Sequence, residues 1–401
     1  MRHKNFRLFF FGQLISLCGI WMQSTALQWL VYRITGSQLS LGAVTFASFF
    51  PVLLLSLFMG VLVDRFQTRR LLVLTQSWFM LLAGVLALMT YLGVLQYQHI
   101  LLLSVLLGIG TALDMPARQS FYIDMIDRED LLNAIALNSS IFNGARIIGP
   151  MIGGLVVASL GEASAFAINS ITFLAVIAAL LLMRLPPFDP PAKGDAGWDK
   201  LREGLTFLVG NRHLLGLVSM IALMSVFSFP YLVILPAYAR DVLKLGVGGF
   251  GFLMAAPGFG ALIGALSLAA YGDRLNKDRL LLFNRGLLTI ALTGLSLSRS
   301  VILSTVVLAL AGYAIITLLA VTNTSIQIMA PDALRGRVVS AFTWALGGFW
   351  PLGSVLIGAL GDRFGAPRAV LIAAVCTGIL TVVGKLWFPK QADSNQHVNP
   401  N

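Results

Sequence analysis

Charge is what this chain has least of. Asp, Glu, Lys and Arg together make up 11% of its 401 residues, against about 25% in a soluble domain. That shortage excludes a soluble enzyme, a disordered tail and a nucleic-acid-binding domain, each of which needs a broad charged face. Cysteine is nearly absent. Cys18 and Cys376 lie in apolar blocks near opposite ends of the chain, so neither a disulfide scaffold nor a thiolate metal site is indicated. The histidines, His3, His99, His213 and His397, are too scattered to form a ligand cluster. No Gly-x-x-x-x-Gly-Lys-Ser/Thr loop occurs, which removes an ATPase of that kind. No metal, cofactor or nucleic-acid partner is expected.

What the chain does have is apolar surface. Hydrophobic residues make up 57% and the mean hydropathy is +0.85. A spanning helix needs about 20 apolar residues, and the apolar blocks, marked against charged and Gly/Pro punctuation, predict twelve. Their limits are 8–32, 41–63, 71–95, 99–123, 132–159, 163–184, 214–239, 248–271, 279–297, 301–326, 337–360 and 366–387. Spans 4 and 5 are the least clean, because Asp114, Arg118 and Arg146 interrupt them. The basic start (Arg2, Lys4, Arg7) resembles a signal peptide. Its apolar run continues to Tyr32, however, too long for a signal core, so it reads as a retained first helix.

The net charge of +11 sits between the apolar blocks rather than on one face. With the N-terminus placed in the cytoplasm, inner segments hold 20 Lys and Arg and outer loops hold 6. That asymmetry predicts both termini inside. The longest connection, 185–213, opens as a Pro/Gly-rich linker. It ends in a stretch placing Trp198, Leu201, Leu205 and Leu208 on one helical face, as in a helix lying on a membrane surface. It divides the chain into a six-span half at 1–184, the linker at 185–213, a second six-span half at 214–390 and a tail at 391–401.

The two halves share features. GVLVDRFQTRR (60–70) follows span 2 and AAYGDRLNKDR (269–279) follows span 8. GARIIGPMIGG (144–154) lies in span 5 and GGFWPLGSVLIG (347–358) in span 11. A repeat of six spans is how many secondary transporters are built.

On these residues the chain resembles the major facilitator superfamily over essentially its whole length. Gly60, Asp64, Arg65, Arg69 and Arg70 match the family's loop after span 2, with Gln67 where the family usually has Gly. Gly149, Pro150, Gly153 and Gly154 match the span 5 motif of its drug antiporters, with Ala145 in place of the first Gly. The stretch 116–150 is similar to the branch of enterobactin exporters and macrolide efflux proteins. The resemblance implies an all-α membrane protein whose spans 1, 4, 7 and 10 line a central cavity.

Asp114 and Arg146 are the candidate proton-coupling residues. A carboxylate at membrane depth is expensive unless it pairs, faces water or is protonated, and Asp114 is also spaced to form an i,i+4 pair with Arg118. Arg146, near the bilayer centre, needs a partner too. Asp114 is the nearest in estimated depth, giving either a switchable or a permanent pair, or else Arg146 is an anion-binding group in the cavity. Pro150 and the glycines around it predict a kinked, close-packed seam between the halves. By resemblance, Asp64, Arg65, Arg69 and Arg70 form a cytoplasmic gate, with Asp273 and Arg274 as the counterpart in the second half.

Polar residues at cavity-lining spans give Ser16, Gln23, Arg118, Ser228, Tyr231, Asn323 and Gln327 as substrate contacts. Span 1 aligns Gly12, Ser16, Gly19 and Gln23 on one face. Taken singly, each of these polar groups reads more readily as an interhelical hydrogen bond, which Ser and Thr make routinely. Arg285, six residues into span 9, is expected to snorkel to the interface. The expected function is export of a small amphiphilic compound, drug- or siderophore-like, by proton antiport through a monomer in a bacterial inner membrane. An importer of the same fold is the first alternative, since fold does not fix direction. A non-transporting sensor or an intramembrane enzyme ranks lower.

Overall fold

The computed structural model describes residues 4–63, 65–125, 131–183, 206–331 and 334–387. They form twelve long helices. These are α1 (Lys4–Thr35), α2 (Gln38–Val63), α3 (Thr68–Tyr91), α4 (Tyr97–Met125), α5 (Leu131–Leu160) and α6 (Glu162–Leu182), then α7 (Arg212–Phe227), α8 (Val247–Tyr271), α9 (Lys277–Leu297), α10 (Val301–Met329), α11 (Arg335–Phe364) and α12 (Ala366–Trp387). All twelve are long and apolar enough to cross a membrane, where the backbone must satisfy its own hydrogen bonds. The linker helix expected at 198–209 lies mostly outside the described residues, which show helix at 206–210 with Leu208 buried. The tail at 391–401 also lies outside them.

Glycine closes several of the short turns. Gly36, Gly93, Gly161 and Gly365 take φ of 63°, 70°, 81° and 85°, a left-handed backbone that ends a helix without a Cβ penalty. All four lie at the same end of the bundle, called distal below. The opposite end, where α1 starts, is proximal. At the membrane surface the side chains are apolar and exposed: Ile302 is 78% exposed and Leu155 67%. A soluble monomer does not leave so much contiguous apolar area in water, and lipid is the solvent such a face suits.

The expected spans match the helices to within a few residues, but the irregular one is not 4 or 5. α4 and α5 run unbroken through Pro116 and Pro150. The break is in span 7. After Phe227 the chain continues as a 3-10 turn (Phe229–Ile234), a short α turn (Leu235–Ala237) and a π turn (Tyr238–Val242). Pro230 and Pro236 remove two backbone donors there, and Tyr238 Oη stands 2.5 Å from the Leu295 carbonyl and 2.8 Å from that of Ser298.

Helices α1 to α6 pack among themselves, as do α7 to α12, and the main joins between the groups are α2 with α11 and α5 with α8. Both seams depend on missing side chains. A Cβ on Gly251 of α8 would strike the Pro150 carbonyl, and one on Gly154 would stand 2.9 Å from the Val247 carbonyl. On the other side, a Cβ on Gly358 of α11 would stand 2.5 Å from the Gln38 carbonyl. Packing this close lets two helices gain dispersion contacts that larger residues would prevent.

Candidate functional site

The buried polar centre of the first group is built on Asp114, which is 7% exposed. Arg118, one turn later on α4, donates to Asp114 Oδ2 from Nε at 3.1 Å and from Nη2 at 2.8 Å. From α3, Thr75 Oγ1 lies 2.7 Å and Gln76 Nε2 2.8 Å from Asp114 Oδ1. Arg118 Nη1 also donates to Gln13 Oε1 of α1. The Asp114–Arg118 pair therefore ties three helices together. Arg118, expected in the substrate cavity, is occupied by this network.

Arg146 does not join it. No ion pair links Arg146 to Asp114; the i,i+4 neighbour takes the carboxylate because it needs no interhelical reach. The Arg146 guanidinium instead lies 6.0 Å from the centre of the Trp21 ring, and Tyr231, across the join between the groups, lies within electrostatic range of it. Tyr231 is 1% exposed, and its hydroxyl has no hydrogen-bond partner among the described residues. Trp21 packs edge-on against Phe142, ring centres 5.9 Å apart. Gly149 makes room for it, since a Cβ there would stand 2.5 Å from Trp21 Cβ.

The face of α5 that carries Arg146, Gly149, Pro150, Gly153 and Gly154 is thus turned to α1 and α8. Gly153 meets the Met22 carbonyl of α1, while Pro150 and Gly154 meet Gly251 and Val247 of α8. The small-residue face of α1 behaves otherwise than expected. Gly12 lies against the Ala175 carbonyl and Gly19 against Asn169 and Thr172, all on α6. Gln23 Oε1 accepts from Asn169 Nδ2 at 2.7 Å. This face is an α1–α6 contact rather than a cavity wall, because small residues draw helices together before they line open space. Ser16 on the same face is buried with an unpartnered hydroxyl. Ser228 pairs with Thr377 of α12 at 2.7 Å. Gln327 and Asn323 hydrogen-bond to one another along α10 at 3.2 Å, and both are partly exposed.

Of the proposed gate, Asp64 lies outside the described residues, and only the backbone is described at Asp273. Gly60 lies inside α2, three residues before its last residue, Val63. Arg65, Arg70 and Arg274 are exposed. Arg69 donates to the Leu181 carbonyl at 2.7 Å and to that of Met183 at 3.3 Å. It therefore caps the C-terminal end of α6 within its own group, where a cation suits the helix dipole. Arg285 does not snorkel. It is 7% exposed, its Nε has no hydrogen-bond partner among the described residues, and Gly384 of α12 leaves the space it fills.

Two polar clasps at the distal end were not read from the sequence. Tyr32 of α1 donates to Asp241 at the end of span 7, with Arg240 5.7 Å from the Tyr32 ring centre. Asp362 at the end of α11 caps the start of α2. It accepts from Ser37 Oγ at 2.6 Å, from Leu39 N at 3.2 Å and from Gln38 N. Both clasps cross from one six-helix group to the other. A sequence signal existed for the second: Gly361-Asp362-Arg363 repeats Gly272-Asp273-Arg274 after another apolar span.

Residues 1–399 match the family described as transmembrane secretion effector, of the major facilitator type. The chain belongs to that family. It is similar to the staphyloferrin A transporter of Staphylococcus aureus, 26% identical over 389 residues and 94% of each chain. It is 27% identical to the multidrug efflux pump Tap of Mycolicibacterium fortuitum, again over 94% of each. It is 28% identical to the enterobactin exporter EntS of Shigella flexneri, over 90% of this chain and 85% of that one. Among solved structures, a variant of the nucleoside transporter NupG superposes with a TM-score of 0.82 at 11% identity, covering 96% of this chain and all of that one. A bacterial homologue of ferroportin superposes at 0.72 and 15% identity, over 96% and 98%. The fold of this family member is therefore the twelve-helix transporter fold of two six-helix halves, and the protein is a multi-pass membrane transporter rather than an enzyme.

Proposed function

We propose that this chain exports a small amphiphilic compound, drug- or siderophore-like, by proton antiport with alternating access. The observation that carries the reading is the likeness, over nine-tenths or more of the chain, to relatives named for moving siderophores or drugs. We place the protein in a bacterial inner membrane as a monomer with both termini in the cytoplasm, which the 20-to-6 division of Lys and Arg supports. The distal clasps then face outward.

The cycle is a rocking of the two halves along the α2–α11 and α5–α8 seams. Asp114 carries the proton. Protonating it removes the charge that Arg118 pairs with and takes an acceptor position from Thr75 or Gln76. The ties of α4 to α1 and α3 then loosen together. Arg65, Arg70 and Arg274 are exposed and can join an inner latch when the halves close on that side; Arg69 does not, being held by α6.

The test uses inside-out vesicles with an imposed pH gradient. Proton release is recorded on adding lipophilic cations, macrolides and catecholate siderophores, for the native protein and for Asp114→Asn. A substrate-triggered proton signal that Asp114→Asn abolishes, with ligand binding retained, is the expected result. Survival of the signal in Asp114→Asn makes the network structural and moves coupling elsewhere. Uptake into the cytoplasm in place of extrusion reverses the assigned direction.

A further inference from the structure

An arginine at membrane depth without an acid beside it calls for an explanation. Of the membrane-depth cations, Arg118 is neutralised by Asp114 and Arg285 is packed against α12. Arg146 makes no hydrogen bond or ion pair among the described residues, although it is largely buried. Its helix face is set by the neighbours of Gly149, Pro150 and Gly154. These turn it between α1 and α8, toward the join of the two halves and away from lipid.

What surrounds it is suited to a ligand. Trp21 lies under the guanidinium with Phe142 packed against it, and Tyr231 of the opposite half, whose buried hydroxyl has no partner among the described residues, lies within electrostatic range. A buried donor without an acceptor and a cation without an anion are both costly, and each lacks what an anion supplies.

We propose that Arg146, Tyr231 and Trp21 form the binding site for the carboxylate end of an amphiphilic organic anion. This rests on the export reading and deepens it by naming the substrate class. A single unneutralised cation matches a single negative charge, and the planar guanidinium fork matches a carboxylate with two parallel hydrogen bonds. A phosphate dianion would call for a second cation, and none stands beside Arg146 among the described residues. Trp21 and Phe142 pack on the apolar body that follows the carboxylate. Because Arg146 and Tyr231 belong to different halves, an occupied site contacts both moving bodies at once.

The test compares dansylglycine with dansylglycinamide, which differ only in the carboxylate. Binding to the full chain in nanodiscs is read from tryptophan-to-dansyl energy transfer, with empty nanodiscs subtracted. The native protein binds the acid about tenfold or more tightly than the amide. Arg146→Gln brings the two within about twofold, Arg146→Lys keeps part of the preference, and Tyr231→Phe weakens the acid by roughly threefold or more. Size-exclusion profiles and melting temperatures check that each variant is folded, and the charge-retaining Arg146→Lys serves as the test should Arg146→Gln misfold.

Equal binding of acid and amide by the native protein overturns the site. So does a preference that survives Arg146→Gln, or an acid that does not bind at all. Extrusion is measured separately in vesicles with ethidium and both dansyl probes. Acid-selective binding without extrusion of any probe sinks the export reading and leaves the site standing. Extrusion of ethidium without acid-selective binding does the reverse.

Discussion

Replacing Asp362 by Ala should open the distal end of the molecule. The side chain accepts from Ser37 Oγ, Gln38 N and Leu39 N, all at the first turn of α2 in the other half. Losing a helix-capping side chain costs about 0.5–2 kcal/mol. Ser37 remains as a local cap, accepting from Ser40 N at 3.1 Å, so the middle of that range is the reasonable figure, roughly 1–1.5 kcal/mol. The contact exists only while the distal ends are together, and its loss therefore falls on that state alone. The population ratio should shift toward the distal-open form by about 5- to 12-fold, at 1.4 kcal/mol per factor of ten.

Spin labels at Tyr91→Cys and Ser300→Cys report the distance between exposed distal positions, one in each half, in a background with Cys18 and Cys376 replaced by Ser. Pulsed electron resonance then gives the two populations. Glu162→Gln is the control: it removes the Arg33–Glu162 pair, 2.9 Å long and just as distal, but internal to one half. An unchanged distance distribution in Asp362→Ala refutes the clasp. An equal shift in Glu162→Gln shows that any distal charge has the same effect, and the argument from crossing the halves fails.

Gly251→Val should cut the transport rate by about tenfold or more while protein still reaches the membrane. The added carbons meet the Pro150 carbonyl, and overpacking of this kind costs about 1–3 kcal/mol; initial efflux rates against surface abundance decide it. Asp114→Asn and Arg118→Ala should each destabilise the detergent-solubilised protein by roughly 3–5 kcal/mol, and the double variant by clearly less than their sum. Melting temperatures of the four proteins close that cycle, and simple additivity would mean that the pair is not coupled. Arg285→Met should be neutral or stabilising in the same assay, because the native guanidinium is buried with an unpartnered Nε. A large loss of stability would reveal a partner that the packing does not show.

The helices were legible because twenty apolar residues in a row admit few other readings. The same uniformity hid which way each helix faces. In α1, the Gly12, Ser16, Gly19 and Gln23 stripe stood out as a special face, but nothing in the sequence separates a wall of open space from a surface pressed on α6. Asp114 was legible as a costly group, and its i,i+4 partner Arg118 with it, since both lie on one helix turn. Thr75 and Gln76 were not, being 39 and 38 residues away on an otherwise ordinary apolar helix. The Arg146 partner was misassigned because depth was the only coordinate available. Helix α5 points Arg146 toward Trp21, and rotation about the helix axis decides a pairing as much as depth does. Tyr32 and Asp241 are separated by 209 residues, and each alone looks like an ordinary interfacial residue.

The broken second half of span 7 has a mechanical consequence. A 3-10 turn rises about 2.0 Å per residue and an α-helix about 1.5 Å. The six residues Phe229–Ile234 would therefore draw in by about 3 Å on becoming α-helical. That is enough to pull the Asp241 carboxylate out of reach of the Tyr32 hydroxyl while Arg212–Phe227 stays where it is. Span 7 is thus built as a rod with a telescoping tip: one end can be anchored in the bundle while the other lengthens or shortens, and the clasp it carries can be made or broken by pitch alone.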